Sequence, residues 1–339
     1  MGIIGGISLF SPRLGFACSN IISYEVVLAT GSIVVASEST NTDLWHALKG
    51  GSNNFGIVTQ FTLRSFPCSK IWSGFLYTPA LQISKTLSAF YDCVKMLDSA
   101  QYHDSYVTGP VVRITYVHTT GIKVISVNLV YTKLPENEKK WPTYWKASPF
   151  ARLWRLWSTC KLRTLTDATD EIKASNQSGR RQAIATITMV NDPRALSAAH
   201  DAYDSGVFYF KRELIKGLVW KITFQPLLPA WACKGDANPL SLKNITTPLV
   251  IVTFNASWIS AQDDDVVQRT IRENIENIKR TTEEQGTAHQ YLYMNDCAAW
   301  QRPFEGYDEE NRQILKEVSR KYDPDGLFQQ GYAGGFKLW

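Results

Sequence analysis

The chain has 339 residues, of which 44% are hydrophobic and 20% are charged. This length suits one large domain or two moderate ones, and the composition excludes disordered, collagen-like and coiled-coil proteins. The net charge is +5, and the charges are dispersed along the chain. The sequence therefore predicts a protein that binds neither nucleic acid nor a membrane but tolerates an anionic ligand.

The sequence gives only weak signals for membrane spans, secretion and metal binding. No run of about 18 apolar residues predicts a membrane span. The start lacks the basic and apolar regions of a signal peptide. Asn176, Asn244 and Asn255 begin glycosylation triplets. Six scattered cysteines without a CxxC motif exclude a typical zinc site and leave disulfide pairing open, namely Cys18, Cys68, Cys93, Cys160, Cys233 and Cys297.

The first predicted elements are a glycine-rich segment and a hairpin. Residues 5–15 contain three glycines and precede two runs rich in Ile, Val and Tyr, at 21–29 and 33–37. Thr30-Gly31 lies between these runs, so the sequence predicts a β-hairpin.

The stretch NTDLWHALKGGSNNFGIVT, residues 41–59, predicts a short helix, a polar loop and the start of a strand. Asn41 or Thr42 can cap the helix, and Gly50 stands where a left-handed C-cap is expected. Loop 51–56 offers backbone N–H groups with little side-chain bulk, which suits a flat or phosphorylated ligand. A glycine-rich turn without a ligand is the alternative.

The middle of the chain predicts an α+β domain, an antiparallel sheet covered by helices. Before it, residues 57–66 alternate, which predicts a half-buried strand that ends at Pro67, and a domain boundary follows near residue 68. Helices are predicted over 81–97 and from Asp263 onward. The β-rich runs are 71–78, 111–118, 123–132, 182–190, 207–212, 217–225 and 248–258.

Two features of this middle region allow alternatives. The aromatic-rich residues 141–157 either line an aromatic pocket or fill a core as a helix, and the core is favoured because large rings bury most area anywhere. Asp263, Asp264 and Asp265 either compensate a helix dipole or bind a metal. The dipole is favoured because no His or carboxylate partner lies nearby in sequence.

Several of these pieces match one family. GGISLFSPRLGFACSNIISYEVVLATGSIVVAS and NTDLWHALKGGSNNFGIVTQFTLRSFP cover residues 5–67. YLYMND, Gln301, KYDPDGLFQQ and GGFK fall within residues 291–337. Together they resemble FAD-linked oxidases of the berberine-bridge-enzyme-like family, especially fungal members, which have the PCMH-type FAD-binding fold.

The resemblance implies a domain plan and an activity. Residues 1–68 would be the second half of the FAD-binding domain, 69–290 a substrate domain that covers the flavin, and 291–339 a return to the first domain. The activity would be oxidation of an alcohol, amine or secondary metabolite by hydride transfer to FAD, with O2 as acceptor. The resemblance also implies that a full-length member would be in the secretory pathway or extracellular.

The resemblance also implies site residues. Main-chain and small-residue contacts suit FAD, which has a pyrophosphate and a flat ring. The loop near the pyrophosphate and ribityl chain would contain Gly5, Gly6, Ser8, Gly15, Ser19 and Asn20. The wall near the adenine and phosphate would contain Gly50, Gly51, Asn54, Phe55, Gly56, Ile57 and Val58. Asn295 and Gln301 would approach the flavin ring.

A tyrosine is the candidate for proton removal from the substrate. Tyr291 and Tyr293 are predicted to share one strand face next to Asn295. The alternative is that both are tyrosines packed in a strand.

One part of the family pattern does not appear. Members carry a phosphate-binding loop and an FAD-linked histidine upstream of the GGIS-like motif, and four residues precede that motif here. Ser19 also stands where the family often has Asp. Two hypotheses follow: an FAD-dependent oxidoreductase, or a non-catalytic remnant or incomplete gene model that holds little flavin and exposes apolar surface.

Overall fold

A computed structural model describes residues 2–174, 178–331 and 333–339. Its strands are β1 (Ile21–Val27), β2 (Ile33–Ser37), β3 (Ile57–Leu63), β4 (Ile71–Pro79), β5 (Val107–Val117), β6 (Ile122–Tyr131), β7 (Trp157–Ser158), β8 (Lys161–Arg163), β9 (Arg181–Val190), β10 (Val219–Leu227), β11 (Leu249–Trp258) and β12 (Ala288–His289). Its helices are α1 (Ser11–Leu14), α2 (Thr42–Leu48), α3 (Ile83–Asp98), α4 (Thr143–Ala147), α5 (Leu165–Ala174), α6 (Pro193–Phe210), α7 (Pro229–Ala232), α8 (Asp264–Glu284) and α9 (Glu309–Tyr322).

The chain divides into two compact units. Unit 1 comprises Met1–Pro67, Pro229–Thr246 and Gln290–Trp339, and unit 2 comprises Cys68–Leu228 and Thr247–His289. The sequence predicts one continuous middle domain over residues 69–290. The structure differs in that the segment Pro229–Thr246 belongs to unit 1, because its long-range contacts are there.

Asp236 attaches this segment to unit 1. Its carboxylate accepts hydrogen bonds from Lys49 Nζ at 2.8 Å and from Arg64 Nη2 at 2.9 Å. The Lys49 side chain is fully buried, and its Nζ lies 3.5 Å from the ring centroid of Trp45. A buried ammonium is stable only with a partner, so Asp236 and the Trp45 ring together allow this burial.

Unit 1 contains a three-stranded antiparallel sheet in the order β2-β1-β3. Tyr24 and Val26 of β1 are fully buried, whereas every residue of β3 is exposed or intermediate. Ile57 is 58% exposed and Leu63 is 55% exposed. The prediction of a half-buried strand here is wrong, because alternation sets which side chains share a face but not whether another layer covers it.

Unit 2 is built on a nine-stranded sheet in the order β12-β9-β11-β10-β5-β6-β4-β7, with β8 beside β4. All of its strand pairs are antiparallel. Helices α3 and α6 pack on one face, where the Phe90 and Phe224 rings lie 6.1 Å apart and Trp220 Nε1 donates to the Tyr203 carbonyl. The predicted α+β class, an antiparallel sheet covered by helices, is confirmed.

One predicted β-run of unit 2 is helical. Residues 207–210 end α6, and 211–212 follow it as a turn. Val207, Phe210 and Tyr203 are buried at spacings of three and four residues. The aromatic and β-branched composition of 207–212 misled the prediction, because the helical period is visible only when residues upstream are included.

The structure shows the surroundings of the two features that allow alternatives. Trp145 and Phe150 are fully buried, while Trp154 is 55% exposed, so the aromatic segment fills a core only in part. Asp264 begins α8 and accepts hydrogen bonds from Trp258 Nε1 at 2.9 Å and from Arg181. Within the described ranges, no three His, Cys, Asp or Glu residues are grouped to hold a metal.

Three smaller expectations concern processing and membranes. All six cysteines are free thiols. The glycosylation triplet at Asn176 lies outside the described residues. Among the helices that the structure describes, none is long and apolar enough to cross a membrane.

Candidate functional site

The glycine pair Gly5-Gly6 forms a turn that is held from behind. Both residues are buried and have positive φ angles, of 99° and 90°. Their carbonyls accept hydrogen bonds from Cys18 N at 2.9 Å and Ala17 N at 2.8 Å. Only glycine adopts this backbone readily, so the local structure explains why glycines occupy both positions.

Tyr293 joins this turn to the C-terminal part of the chain. Its hydroxyl accepts a hydrogen bond from Ile7 N at 2.8 Å, and the Asn295 amide nitrogen lies 3.4 Å from the same oxygen. The Oδ1 atom of Asn295 is buried and makes no hydrogen bond to any described residue. The structure therefore brings together two segments, residues 5–7 and 293–295, that contain predicted site residues, and the second holds a buried acceptor without a hydrogen bond.

Tyr291 and Tyr293 lie outside the sheets. The extended segment that holds them runs between β12 and a 3-10 turn at Met294–Asp296, so the prediction of a shared strand face is wrong. Tyr291 is 1% exposed and Tyr293 is 5% exposed. Strand alternation is lost because pairing with β9 stops at His289.

Burial controls the protonation of these side chains. It raises the pKa of Tyr291 and Tyr293 well above the ordinary value, although the hydrogen bond from Ile7 N partly opposes this for Tyr293. Burial also raises the pKa of the Cys18 thiol to about 12, against the nearby charge of Lys49. At neutral pH these groups are a phenol, a phenol and a thiol.

Ser8, Gly15 and Asn20 shape the segment after the glycine turn. Ser8 Oγ accepts from Phe10 N at 3.1 Å. Asn20 Nδ2 donates to two carbonyls of the same segment, each at 2.8 Å. A Cβ at Gly15 would lie 2.2 Å from the Lys234 carbonyl oxygen, so glycine is needed there for protein packing.

Ser19 also packs against the segment that contains Asp236. It is fully buried, its Oγ accepts from Asn238 Nδ2 at 2.9 Å, and its carbonyl accepts from Asp236 N at 3.0 Å. A Cβ at Gly235 would lie 2.7 Å from Ser19 Cβ. This close approach of Ser19 favours glycine at position 235.

The second glycine loop begins differently from the prediction. Lys49 is the C-cap of α2, and Gly50 is not left-handed. Asn41 occupies the N-cap position of α2, but its amide donates to Val35 O and its side chain makes no capping hydrogen bond. A Cβ at Gly50 would lie 2.8 Å from Leu240 Cδ2, so packing against Leu240 and not capping favours glycine at this position.

The rest of this loop is also closely packed. A Cβ at Gly51 would lie 2.6 Å from Ala47 O, and one at Gly56 would lie 2.5 Å from Val26 Cγ1. Phe55 is fully buried, and β3 then starts with the exposed Ile57 and the half-buried Val58.

Asn54 anchors the C-terminal segment to this loop. Its Nδ2 donates to Gly51 O at 2.7 Å and to Phe336 O at 2.9 Å, and its Oδ1 accepts from Gln329 Nε2 at 2.9 Å. Ser319 Oγ donates to the Asn54 carbonyl at 2.9 Å. These side-chain atoms are used within unit 1, so any contact with a ligand would come from the main chain.

Gln301 is the last of the predicted contacts. Tyr307 and Lys49 are two residues of unit 1 that the sequence reasoning missed. Gln301 is 6% exposed, and its Oε1 accepts from Ala298 N at 2.9 Å. Tyr307, which carried no sequence signal, donates its hydroxyl to Gly50 O at 2.9 Å. Lys49 carried none either, because its partner Asp236 is 187 positions away.

No family model matches the chain. It is 32% identical over 349 residues to the FAD-dependent monooxygenase tpcD of Cochliobolus heterostrophus, covering 98% of this chain and 65% of that protein. It is 31% identical over 342 residues to the FAD-dependent monooxygenase sdcF of Emericella nidulans, covering 98% of this chain and 68% of that protein. The chain thus spans about two thirds of the length of these relatives.

Solved structures agree at the level of the fold. The BBE-like 1 protein of Physcomitrella patens matches with a TM-score of 0.70 at 15% identity, over 99% of this chain and 70% of that one. The 6-hydroxy-D-nicotine oxidase of Arthrobacter nicotinovorans matches with a TM-score of 0.71 at 18% identity, over 96% and 68%.

The chain belongs to the berberine-bridge-enzyme-like family of FAD-linked oxidoreductases. The predicted family is confirmed. Its matched fungal members are FAD-dependent monooxygenases, and the BBE-like fold is PCMH-type. The two predicted sets of flavin contacts, and Tyr291 or Tyr293 as the proton-transfer group, stay predictions.

Proposed function

We propose that this chain forms part of an FAD-dependent oxidoreductase that oxidises an alcohol, amine or other secondary metabolite by hydride transfer, with O2 as acceptor. The observation that carries this proposal is that the Tyr293 hydroxyl joins Ile7, next to the Gly5-Gly6 turn, to Asn295, whose amide oxygen is buried and makes no hydrogen bond to any described residue. The comparisons do not favour the non-catalytic alternative, because the matched relatives are named as enzymes.

The residues of this cluster fit a flavin. A buried Oδ1 without a donor is costly unless a ligand supplies one, and the flavin ring carries an N–H group. Gly5 and Gly6 would hold the cofactor through their main chain, and Asn295 would hold the ring. When bound, FAD supplies the hydride acceptor.

The chain's own side chains would position the segments of the site and hold or pass a proton. Tyr293 orients both the Gly5–Ile7 segment and Asn295 through one hydroxyl. Because burial raises the pKa values of Tyr291 and Tyr293, each would act as a neutral phenol that holds or passes a proton at its oxygen, not as a phenolate base.

FAD titration tests this proposal, with protein-bound flavin fluorescence as the readout. Replacing the amide in Asn295→Leu should weaken FAD binding about tenfold, the worth of one buried hydrogen bond. Asn137→Leu, at an exposed position of unit 2, is the matched control and should change nothing. Absence of FAD binding by the unchanged chain, or equal binding by both variants, would overturn the proposed site.

A further inference from the structure

Positive charge is concentrated in one segment of unit 2, although charged residues as a whole are spread along the chain. Residues 139–163 contain seven Lys or Arg and no Asp or Glu, whereas Glu136 and Glu138 come directly before them. The whole chain has a net charge of +5, so the residues outside this segment are together slightly acidic. A local excess of this size attracts an anionic partner even when the total charge is modest.

Most of these cations lie at the surface. Arg163 is 7% exposed and donates to the Glu171 carboxylate, and the Arg155 guanidinium lies 4.8 Å from the ring centroid of Trp141. The other five are exposed and form no ion pair with any residue that the structure describes, namely Lys139, Lys140, Lys146, Arg152 and Lys161. The segment therefore presents positive charge to solvent that no neighbouring carboxylate neutralises by direct contact.

The positive surface continues onto helix α3. A groove of about 550 Å³ lies between α3 and residues 147–153, and Lys85 and Arg152 both line it. The rest of its lining is small or apolar, apart from one acidic side chain, Asp92. The groove thus brings a further exposed cation, Lys85, next to the segment.

The same segment exposes large apolar side chains. Trp145 and Phe150 are fully buried and hold the segment on unit 2, and Trp145 Nε1 donates to Val130 O at 3.0 Å. Trp154 is 55% exposed and Leu156 is 51% exposed. Because exposed apolar groups surrounded by polar residues mark interaction sites, the two outward side chains indicate a partner for this surface.

Exposed cations beside an exposed indole ring and a leucine fit an anionic lipid surface best. Tryptophan favours the boundary between water and lipid, because its ring is apolar and its N–H is polar. Four of the five exposed cations are lysines, which are depleted in protein–protein interfaces but are attracted to anionic headgroups without a fixed geometry. Single-stranded nucleic acid would stack on the indole ring but would leave Leu156 without an apolar partner.

We propose that residues 139–161 dock the chain on the surface of an anionic lipid bilayer, with Trp154 and Leu156 in the headgroup region and the exposed cations beside the lipid charges. This is attachment to one side of a bilayer, and it departs from the expectation from net charge that the chain binds no membrane. Each Lys or Arg close to such a surface strengthens binding about fivefold. The inference does not depend on the proposed function.

Co-sedimentation of the full chain with sucrose-loaded vesicles tests the proposal. Vesicles of phosphatidylcholine with about 30% phosphatidylserine should bind the chain about a hundredfold more tightly than vesicles of phosphatidylcholine alone. Raising the salt concentration from about 0.1 M to about 0.5 M should weaken this binding about tenfold, because ions screen the surface charge.

Two quadruple variants test where the charge acts. The first changes four cations of the segment, namely Lys139→Gln, Lys140→Gln, Lys146→Gln and Arg152→Gln. Its matched control changes four exposed cations elsewhere in unit 2, namely Lys211→Gln, Arg212→Gln, Lys216→Gln and Lys279→Gln. Both lose the same total charge, but only the first loses it at the proposed surface. The first should therefore bind phosphatidylserine vesicles about a hundredfold more weakly than the unchanged chain, and the control less than about fivefold more weakly.

A single substitution tests the apolar contact. Trp154→Ser should weaken binding to the phosphatidylserine vesicles about tenfold, and Trp154→Phe should restore most of it. Leu214→Ser, at a side chain that is 97% exposed and outside the segment, should change nothing. Circular dichroism checks the fold of each variant.

Three results would overturn the proposal. One is equal affinity of the unchanged chain for the two kinds of vesicle, and another is an equal loss in the two quadruple variants. The third is an unchanged affinity in Trp154→Ser together with single-stranded DNA binding that the first quadruple variant abolishes. That result would assign the surface to nucleic acid.

Discussion

Each unit buries a lysine, and the two lysines differ in what surrounds them. Lys49 of unit 1 lies against the Asp236 carboxylate and the Trp45 ring. Lys221 of unit 2 lies near a second cation, Arg113. Burial lowers the pKa of both, but Asp236 opposes this shift for Lys49, whereas Arg113 adds to it for Lys221. The first arrangement places a buried ammonium against a carboxylate, and the second places a buried ammonium near another cation.

Removing the carboxylate should break the first arrangement. Asp236→Asn leaves the fully buried ammonium of Lys49 without its counter-charge, so the free energy of unfolding should fall by about 3 kcal/mol. Urea denaturation measures this. Asp201→Asn, at a side chain that is 75% exposed, should change stability by less than about 0.5 kcal/mol. Equal losses in both variants would show that the ion pair is not structural.

The stability lost in Asp236→Asn should depend on the charge of Lys49. Adding Lys49→Met to Asp236→Asn removes the charge that the first change leaves unpaired, so part of the lost stability should return. A double-mutant cycle should give a coupling energy of about 1.5–3 kcal/mol. A coupling near zero would contradict the pairing seen in the structure.

Removing the charge of Lys221 should not lower stability, and its expected effect is the smallest of those considered. Lys221→Met keeps the aliphatic packing and removes a disfavoured charge, so at pH 7 stability should be unchanged or about 1 kcal/mol higher. The folded pKa of about 8 lies below the unfolded value of about 10.4. The unfolded chain therefore binds more protons between these values, and the wild type should gain stability relative to the variant as pH rises from 8 to 10.

Urea melts of both proteins at pH 7, 8, 9 and 10 measure this difference. A large loss of stability in Lys221→Met at pH 7 would contradict the expectation that removing this charge costs little. That outcome would remove the contrast between the two units.

Local patterns predicted much of the fold. The hairpin β1–β2 forms where two strand-rich runs flank a turn. Helix α3 forms where apolar residues recur at helical spacing. Residues 207–212 were misread because a short apolar run does not distinguish helix from strand. The burial of β3 was misread because it depends on a covering layer.

The candidate site was predictable only in part. Resemblance to a family predicted that Gly5, Gly6 and Asn295 all contact the flavin. The positive φ angles of Gly5 and Gly6 explain why glycine occupies those two positions. No spacing in the sequence could place the Tyr293 hydroxyl on Ile7 N, which is 286 positions away. Nor could it show that Asn54 uses its amide on the C-terminal segment.

The sequence by itself determined the α+β class, most elements and the family, because these depend on periodicity, turn residues and ordered motifs. Only the tertiary structure decided that residues 229–246 belong to unit 1, that Lys49 is paired, and that Arg113 and Lys221 share a face. The physical reason is the same in each case. Burial and charge partnership depend on which distant segments meet, and that information lies in packing and strand register.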